Sequence, residues 1–273
     1  MGAKPLNLSL WLSGSVVGLV ILMGLVAPLV PYAPEDAVDY GRKLIGPSMA
    51  HPFGTDAQGR DVAMRLLKGT EAFFFPAVFA ALIAIGIGGV IGAFTGYAQG
   101  YVQKIGLGFL QLLDTLPRLV FIILVCAILE PGMWLIALVA GVLFIPVVAT
   151  LIRRRVEDLA SEDYILAYIA HGFRPSTILL YHVLWLQCRP ILIRQGVYVF
   201  GYVLFVETAL SYLGDYGVQE PSPSWGNMVA QARDLAGLSA LPWLVPAVAI
   251  VLTIGGAIIF GHGMALREEK ERR

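Results

Sequence analysis

Four ionisable side chains stand inside runs that are otherwise apolar: Asp114, Arg118, Arg194 and Glu207. Charged groups at membrane depth are costly, and they mark solute paths, proton relays or paired clusters. Asp114 and Arg118 lie four residues apart, so a helix puts them on one face where carboxylate and guanidinium can pair. Such a pair hides charge from lipid, and that is the role their spacing supports. Other chemistry is poorly supplied. The four histidines are scattered, with no HExxH zinc pattern, and read as interfacial or packed residues. The two cysteines, Cys126 and Cys188, fall in different apolar segments and suggest no disulfide framework. There is no GxSxG nucleophile elbow and no histidine placed for a triad, which argues against a membrane-embedded enzyme.

The elements that hold these residues follow from where charge is missing. The chain has 273 residues, 58% hydrophobic and 14% charged, whereas a soluble domain is about a quarter charged. Residues 5–34, 72–103, 131–152 and 235–266 carry no Lys, Arg, Asp or Glu. About 20 mostly apolar residues cross the hydrocarbon core as a helix, so each run is long enough. The expected fold is an all-α polytopic membrane protein with six spans, near residues 9–31, 72–97, 107–129, 132–152, 191–213 and 243–265. No two segments read as a repeat. The opening apolar stretch is too long for a signal-peptide core of about 7–15 residues and is taken as a retained first span. Leu6 stands where a myristoylation signal wants Ser or Thr. Net charge is zero, so nothing argues for nucleic acid.

Lys and Arg concentrate on the cytoplasmic side of membrane proteins. With both termini inside, the inner side takes Lys4, Lys104, Arg153, Arg154, Arg155, Arg174, Arg189, Arg267, Lys270, Arg272 and Arg273, eleven in all. The outer side takes six: Arg42, Lys43, Arg60, Arg65, Lys68 and Arg233. The bias supports cytoplasmic N- and C-termini. In the second span Gly88, Gly92 and Gly96 recur on one face, as a seam for close helix approach. It serves either packing within the bundle or a partner or gate.

The longest inner connection is "SEDYILAYIAHGFRPSTILLYHVLW", Ser161 to Trp185. Ser161 suits an N-cap, with Glu162 and Asp163 in the first turn. Gly172 then breaks the helix and Pro175 stops a simple continuation. A second helix is expected over residues 176–186, with Ile178, Leu179, Val183 and Leu186 on its apolar face. Physics alone leaves two uses open: a docking knob for a cytoplasmic partner, or a loop lying on the headgroups.

This segment resembles the coupling loop of binding-protein-dependent ABC importer permeases, which is marked by Glu-Ala-Ala, a glycine three residues later, and an Ile and a Leu-Pro farther on. Ala167 and Gly172 match, as do His182, Val183 and Leu184; Leu166 replaces the glutamate, Tyr168 the second alanine and Trp185 the proline. "HPFGTDAQGRDVAMRLL" (51–67), "LLDTLPRLVFI" (112–122) and "ETALSYLGDYGVQEPSPSWGNM" (207–228) are similar to signatures of one branch, the dipeptide, oligopeptide and nickel permeases. They appear in the family's order, and the chain is most similar to the C-type of its two permease subunits. The ending "FGHGMALREE" keeps Gly261, Gly263, Leu266 and Arg267, with His262 in place of an acidic residue.

The resemblance implies a type I importer permease fold. It divides the chain into an N-terminal span and outer loop (1–71), a core permease domain (72–265) with the coupling loop at 161–186, and a cytoplasmic tail (266–273). It implies a permease subunit for peptides or related solutes, nickel or metal chelates included, in a bacterial or archaeal cytoplasmic (inner) membrane. Expected partners are a second homologous permease, two ATP-binding cassette subunits, an extracytoplasmic substrate-binding protein and membrane lipid. ATP and Mg would sit on the partner subunits and no cofactor on this chain, which has no GxxxxGK[ST] loop. The expected ATPase-docking residues are Asp163, Tyr164, Ala167, Tyr168, Gly172, Phe173 and Arg174. With Leu166 in place of the glutamate, docking loses one charge-assisted contact. Asp114, Arg118 and Glu207 are candidates for the translocation path or for structural intramembrane polar groups, Glu207 near the outer end of the fifth span. Asp56, Arg60 and Asp61 can pair within the first signature and hold its turn or meet the binding protein, and Trp225 and Trp243 suit the membrane interface. An ion-gradient-driven secondary transporter or channel subunit is the alternative; it would need interrupted helices around a midplane site and leaves the loop unexplained.

Overall fold

The computed structural model describes residues 5–32, 38–97, 101–115, 117–129, 132–159, 162, 165, 168, 170–213, 216–235 and 237–271. The longer helices are α1 (Pro5–Val26), α2 (Val62–Tyr97), α3 (Tyr101–Asp114), α4 (Arg118–Ile128), α5 (Met133–Leu159), α6 (Arg189–Leu213), α7 (Trp225–Ala232) and α8 (Leu241–Glu271). Five of them, α1, α2, α5, α6 and α8, are long and apolar enough to cross a membrane. Helices are the expected solution in hydrocarbon, because every backbone N–H and C=O must be satisfied within the segment. Large apolar side chains point outward, as a lipid-facing surface requires: Trp11 on α1 is 73% exposed and Val251 on α8 is 69% exposed.

The third expected span is interrupted, so among the described residues five helices are each long and apolar enough to cross. Residues 107–129 do not form one helix; α3 ends at Asp114 and α4 begins at Arg118. Pro117 has no N–H for the ladder, and its ring disfavours helix in the residue before it. Its own ψ of 104° is extended. With 11 residues, α4 spans only about 17 Å at 1.5 Å per residue, short of the ~30 Å core.

The interior is built on α2 and α5. Ala77, Ala80 and Ala84 of α2 pack with Ala137, Ala140, Phe144 and Val148 of α5, and Val199 and Val203 of α6 close over them, all buried. The glycine seam explains the close approach. A Cβ at Gly88 would stand 2.9 Å from the Ile145 carbonyl oxygen, at Gly92 2.5 Å from that of Ala149, and at Gly96 2.8 Å from that of Arg153. From the α5 side, a Cβ on Gly141 would meet the Ala80 oxygen at 2.9 Å. Of the two uses open to the seam, packing within the bundle is the one it serves.

Gly92→Val should therefore force α2 and α5 apart, at a cost of about 1–3 kcal/mol for overpacking. Gly86 faces open space, so Gly86→Ala should leave the midpoint unchanged or raise it slightly. Thermal melting in detergent compares them; equal midpoints for Gly92→Val and wild type would refute the seam.

Candidate functional site

Three clusters carry the polar chemistry. The first is the connection between α5 and α6. Asp163, Tyr164 and Ala167 of the expected docking set lie outside the described residues, as do Ser161 and Leu166. Tyr168, Gly172, Phe173 and Arg174 are placed, and they form a closed turn. Gly172 takes φ +76°, the left-handed region open to glycine. The Phe173 N–H donates to the Tyr168 carbonyl at 3.1 Å. The Phe173 ring meets Tyr168 edge-on, with centroids 5.3 Å apart. A left-handed glycine, a six-to-one hydrogen bond and an apolar contact across it make a Schellman stop. Tyr168 also stacks on His182 at 4.1 Å, so the outgoing and returning limbs are pinned together. Phe173 is nonetheless 46% exposed. A Cβ on Gly172 would meet nothing within 4 Å, so within this chain the glycine is needed for its backbone angle and not for tight packing.

The returning limb differs from the expected α-helix. After Pro175–Thr177, residues Ile178–Gln187 are wound as a π-helix. Its longer repeat buries Ile178, Leu179 and Val183 while Leu186 stays 42% exposed, off the apolar face that an α-helical period gives it. The buried three, with Ile165, join the core that holds Val156 and Leu159 at the end of α5. The turn is thus fixed to the bundle on one side and bare on the other.

The second cluster lies at the α3–α4 break. Arg118 donates to Asp114 Oδ1 at 2.6 Å and to the Leu143 carbonyl at 3.3 Å. Its guanidinium sits over the Phe144 ring, 4.7 Å from the centroid. The expected pair forms, yet it is not hidden: the Asp114 side chain is 53% exposed and that of Arg118 29%. Arg194 is half-buried near the start of α6.

Glu207 is not brought to that pair. It is wholly buried, and Ser211 donates to its Oε1 at 2.8 Å. Its carboxyl lies against the start of α7, where a Cβ on Gly226 would come within 2.8 Å of Oε2. Ser224 and Asn227 close a capping box on α7. Glu207 is thus packed between α6 and the start of α7, apart from the Asp114–Arg118 pair. Trp225, expected at the membrane interface, is instead buried here, edge-on to Phe73 at 4.8 Å, and its indole N–H donates to Leu66.

The third cluster joins the first signature to the connection between α6 and α8. Arg60 Nε donates to Asp56 at 2.8 Å and its Nη1 to Glu220 at 2.7 Å. Arg65 donates to Asp56 and, at 3.0 Å, to Glu220. Gln231 accepts from Arg60 at 3.2 Å and donates to Glu220. Both arginines are 2% exposed. Asp61 is not in this network; it pairs with His51 at 2.6 Å and caps the Met64 N–H. Sequence spacing found Asp56 and Arg60 but missed Arg65, Glu220 and Gln231, because no local period links residues so far apart. Burial pushes the Asp56 carboxyl up, but Arg65 and Arg60 outweigh it and hold it below the usual carboxylate range. Glu220 is likewise held low against burial, by Gln231 and the two arginines.

Comparison with known proteins places the chain among transport permeases. The family model for the binding-protein-dependent transport system inner membrane component matches residues 88–265. A putative peptide permease protein of Brucella suis is 31% identical over 96% of this chain and 88% of its own length. A dipeptide transport system permease protein of Alkalihalophilus pseudofirmus is 29% identical, covering 92% and 83%. A glutathione transport system permease protein of Pectobacterium atrosepticum is 31% identical, covering 86% and 78%.

The ion network gives a pH-dependent stability. Carboxylates whose folded pKa is depressed contribute above their unfolded values, about 4, and that contribution fades as pH falls through the folded values. Thermal midpoints should therefore fall below about pH 4 in wild type, and much less in Asp56→Asn/Glu220→Gln. At neutral pH, Asp56→Asn should destabilise by about 1–3 kcal/mol, by leaving two buried guanidinium groups to share the Glu220 carboxylate alone. Glu220→Gln should cost less, since Glu220 is 37% exposed. A neutral-pH melt of Asp56→Asn matching wild type would refute the network.

Proposed function

Since the chain belongs to the family of binding-protein-dependent transport inner membrane components, an ABC importer permease of the peptide branch, we propose that it works as one of two permease subunits whose inner turn is gripped by a cytoplasmic ATPase. The observation that carries this is the turn at Tyr168–Phe173: closed by a Schellman stop, pinned to the returning limb through His182, anchored in the core by Ile178, Leu179 and Val183, and bare on its far side. A rigid knob with a free face transmits displacement, whereas a loose loop would absorb it. Its exposed groups are aromatic and basic, Phe173 and Arg174 among them. The matching ATPase groove is apolar with an acidic rim, which suits a chain carrying Leu166 in place of the family's glutamate.

The chain is not an enzyme; ATP hydrolysis and its Mg belong to the partner subunits. The full assembly in this reading is a second homologous permease, two ATP-binding cassettes and a substrate-binding protein on the opposite face, with both termini of this chain cytoplasmic. The binding protein meets the surface held together by Asp56, Arg60 and Glu220. The cargo is a peptide: relatives carry peptide, dipeptide, oligopeptide and glutathione in their names. Nickel and metal chelates are a narrower extension of the same branch.

Co-purification from native membranes should recover the ATPase with the chain. Gly172→Val forces a branched residue into the left-handed region, at about 1–3 kcal/mol of local strain. ATP hydrolysis should become uncoupled from uptake, while insertion and the melting of the bundle stay normal. Normal uptake in that variant, or transport by the chain alone in ATP-free vesicles, would overturn the reading.

A further inference from the structure

The ion pair at the α3–α4 break lies at a depth where its exposure needs an explanation. Phe144, under the Arg118 guanidinium, is eleven residues from the start of α5, about 17 Å along the helix axis. Tyr198 and Tyr202 of α6 meet the same Phe144 ring edge-on, at centroid distances of 5.8 and 4.9 Å. Tyr202 is thirteen residues from one end of α6 and eleven from the other, about 20 and 17 Å. Both helices place the group near the middle of a hydrocarbon core about 30 Å thick. Asp114 at 53% and Tyr198 at 47% are nevertheless open on the surface of this chain. Carboxylate, guanidinium and phenol facing lipid at mid-depth would be expensive, so water or protein must cover them.

We propose that this face lines the aqueous cargo path and reads the charged ends of a peptide, Arg118 taking the carboxylate terminus and Asp114 the ammonium terminus. This rests on the importer reading above. The break between α3 and α4 frees the end of one helix and the start of the next, and places an acid and a base side by side with their outer sides open. The two charges partner each other at 2.6 Å. A zwitterion passing by exchanges one pair for two, so neither charge is ever left unpaired. Phe144 backs the guanidinium, whose side chain keeps 29% of its surface exposed. The same face of α6 continues to Tyr212, with the Arg233 guanidinium 4.9 Å from its ring, so an aromatic track leads from mid-depth to the helix end.

The test needs no knowledge of the particular peptide. In a Cys126→Ala/Cys188→Ala background, which removes two buried thiols, Tyr198→Cys is the reporter. The assembled transporter in vesicles is treated with two membrane-impermeant methanethiosulfonates. One carries a sulfonate, standing in for the peptide carboxylate; the other a trimethylammonium, standing in for its amine. The reporter should react with both. Arg118→Gln should lower the sulfonate-to-ammonium rate ratio by about tenfold, Arg118→Lys should restore it, and Asp114→Asn should raise it comparably. Asp114→Asn keeps Arg118 seated on Phe144, so it serves as the second arm if Arg118→Gln does not assemble. A reporter silent to both reagents in the intact assembly means that lipid or the second permease covers the face, and overturns the proposal. A rate ratio that neither Arg118→Gln nor Asp114→Asn shifts overturns it equally. Labelling does not use ATP, so loss of the ATPase on co-purification would sink the importer reading separately.

Discussion

In hydrocarbon, a helix gains little by pressing leucine against leucine, since the lipid tails are as apolar as any partner. Cohesion has to come from dispersion at short range, and short range needs small residues. The α2–α5 seam meets that condition with glycine and alanine on both sides, where even one added methyl would touch a backbone oxygen. Three other parts of the described structure are attached to this pair. α6 closes over it through Val199 and Val203, the returning limb joins it through Val183, and Arg118 is seated on Phe144 of α5.

That attachment makes the inner turn mechanical. Val156 and Leu159 at the end of α5, and Ile165, Ile178, Leu179 and Val183 beyond it, belong to one continuous core. The π winding of Ile178–Gln187 lets three apolar residues face inward over a stretch that ends in the first turn of α6. The turn bearing Phe173 is therefore packed onto the same core as α5 and α6. Packed cores shift between discrete arrangements instead of deforming smoothly, which is the property coupling requires.

At the opposite end, polar groups do the fastening. Asp56 and Glu220 hold two buried arginines, and Glu207 is packed between α6 and the start of α7. Both clamps act on the 216–235 region, one from the first signature and one from α6. Buried charges are tolerated there because each guanidinium meets two carboxylates.

The sequence by itself determined what depends on neighbours along the chain. Long uncharged runs marked four of the five helices long enough to span, since span length is set by bilayer thickness. Gly172 marked the turn, since only a left-handed residue ends a helix that way, and the four-residue spacing of Asp114 and Arg118 marked their pair. Tertiary structure decided what depends on contacts across it. It split the third span at Pro117 and turned Leu186 outward through π winding. It assigned the glycine seam to α5 and buried Glu207 against Gly226. It also joined Arg60 and Arg65 to Glu220 and Gln231, and left the Asp114–Arg118 pair open at mid-depth. No local period encodes those outcomes, because each depends on which distant backbone or charge the packed helices bring within reach.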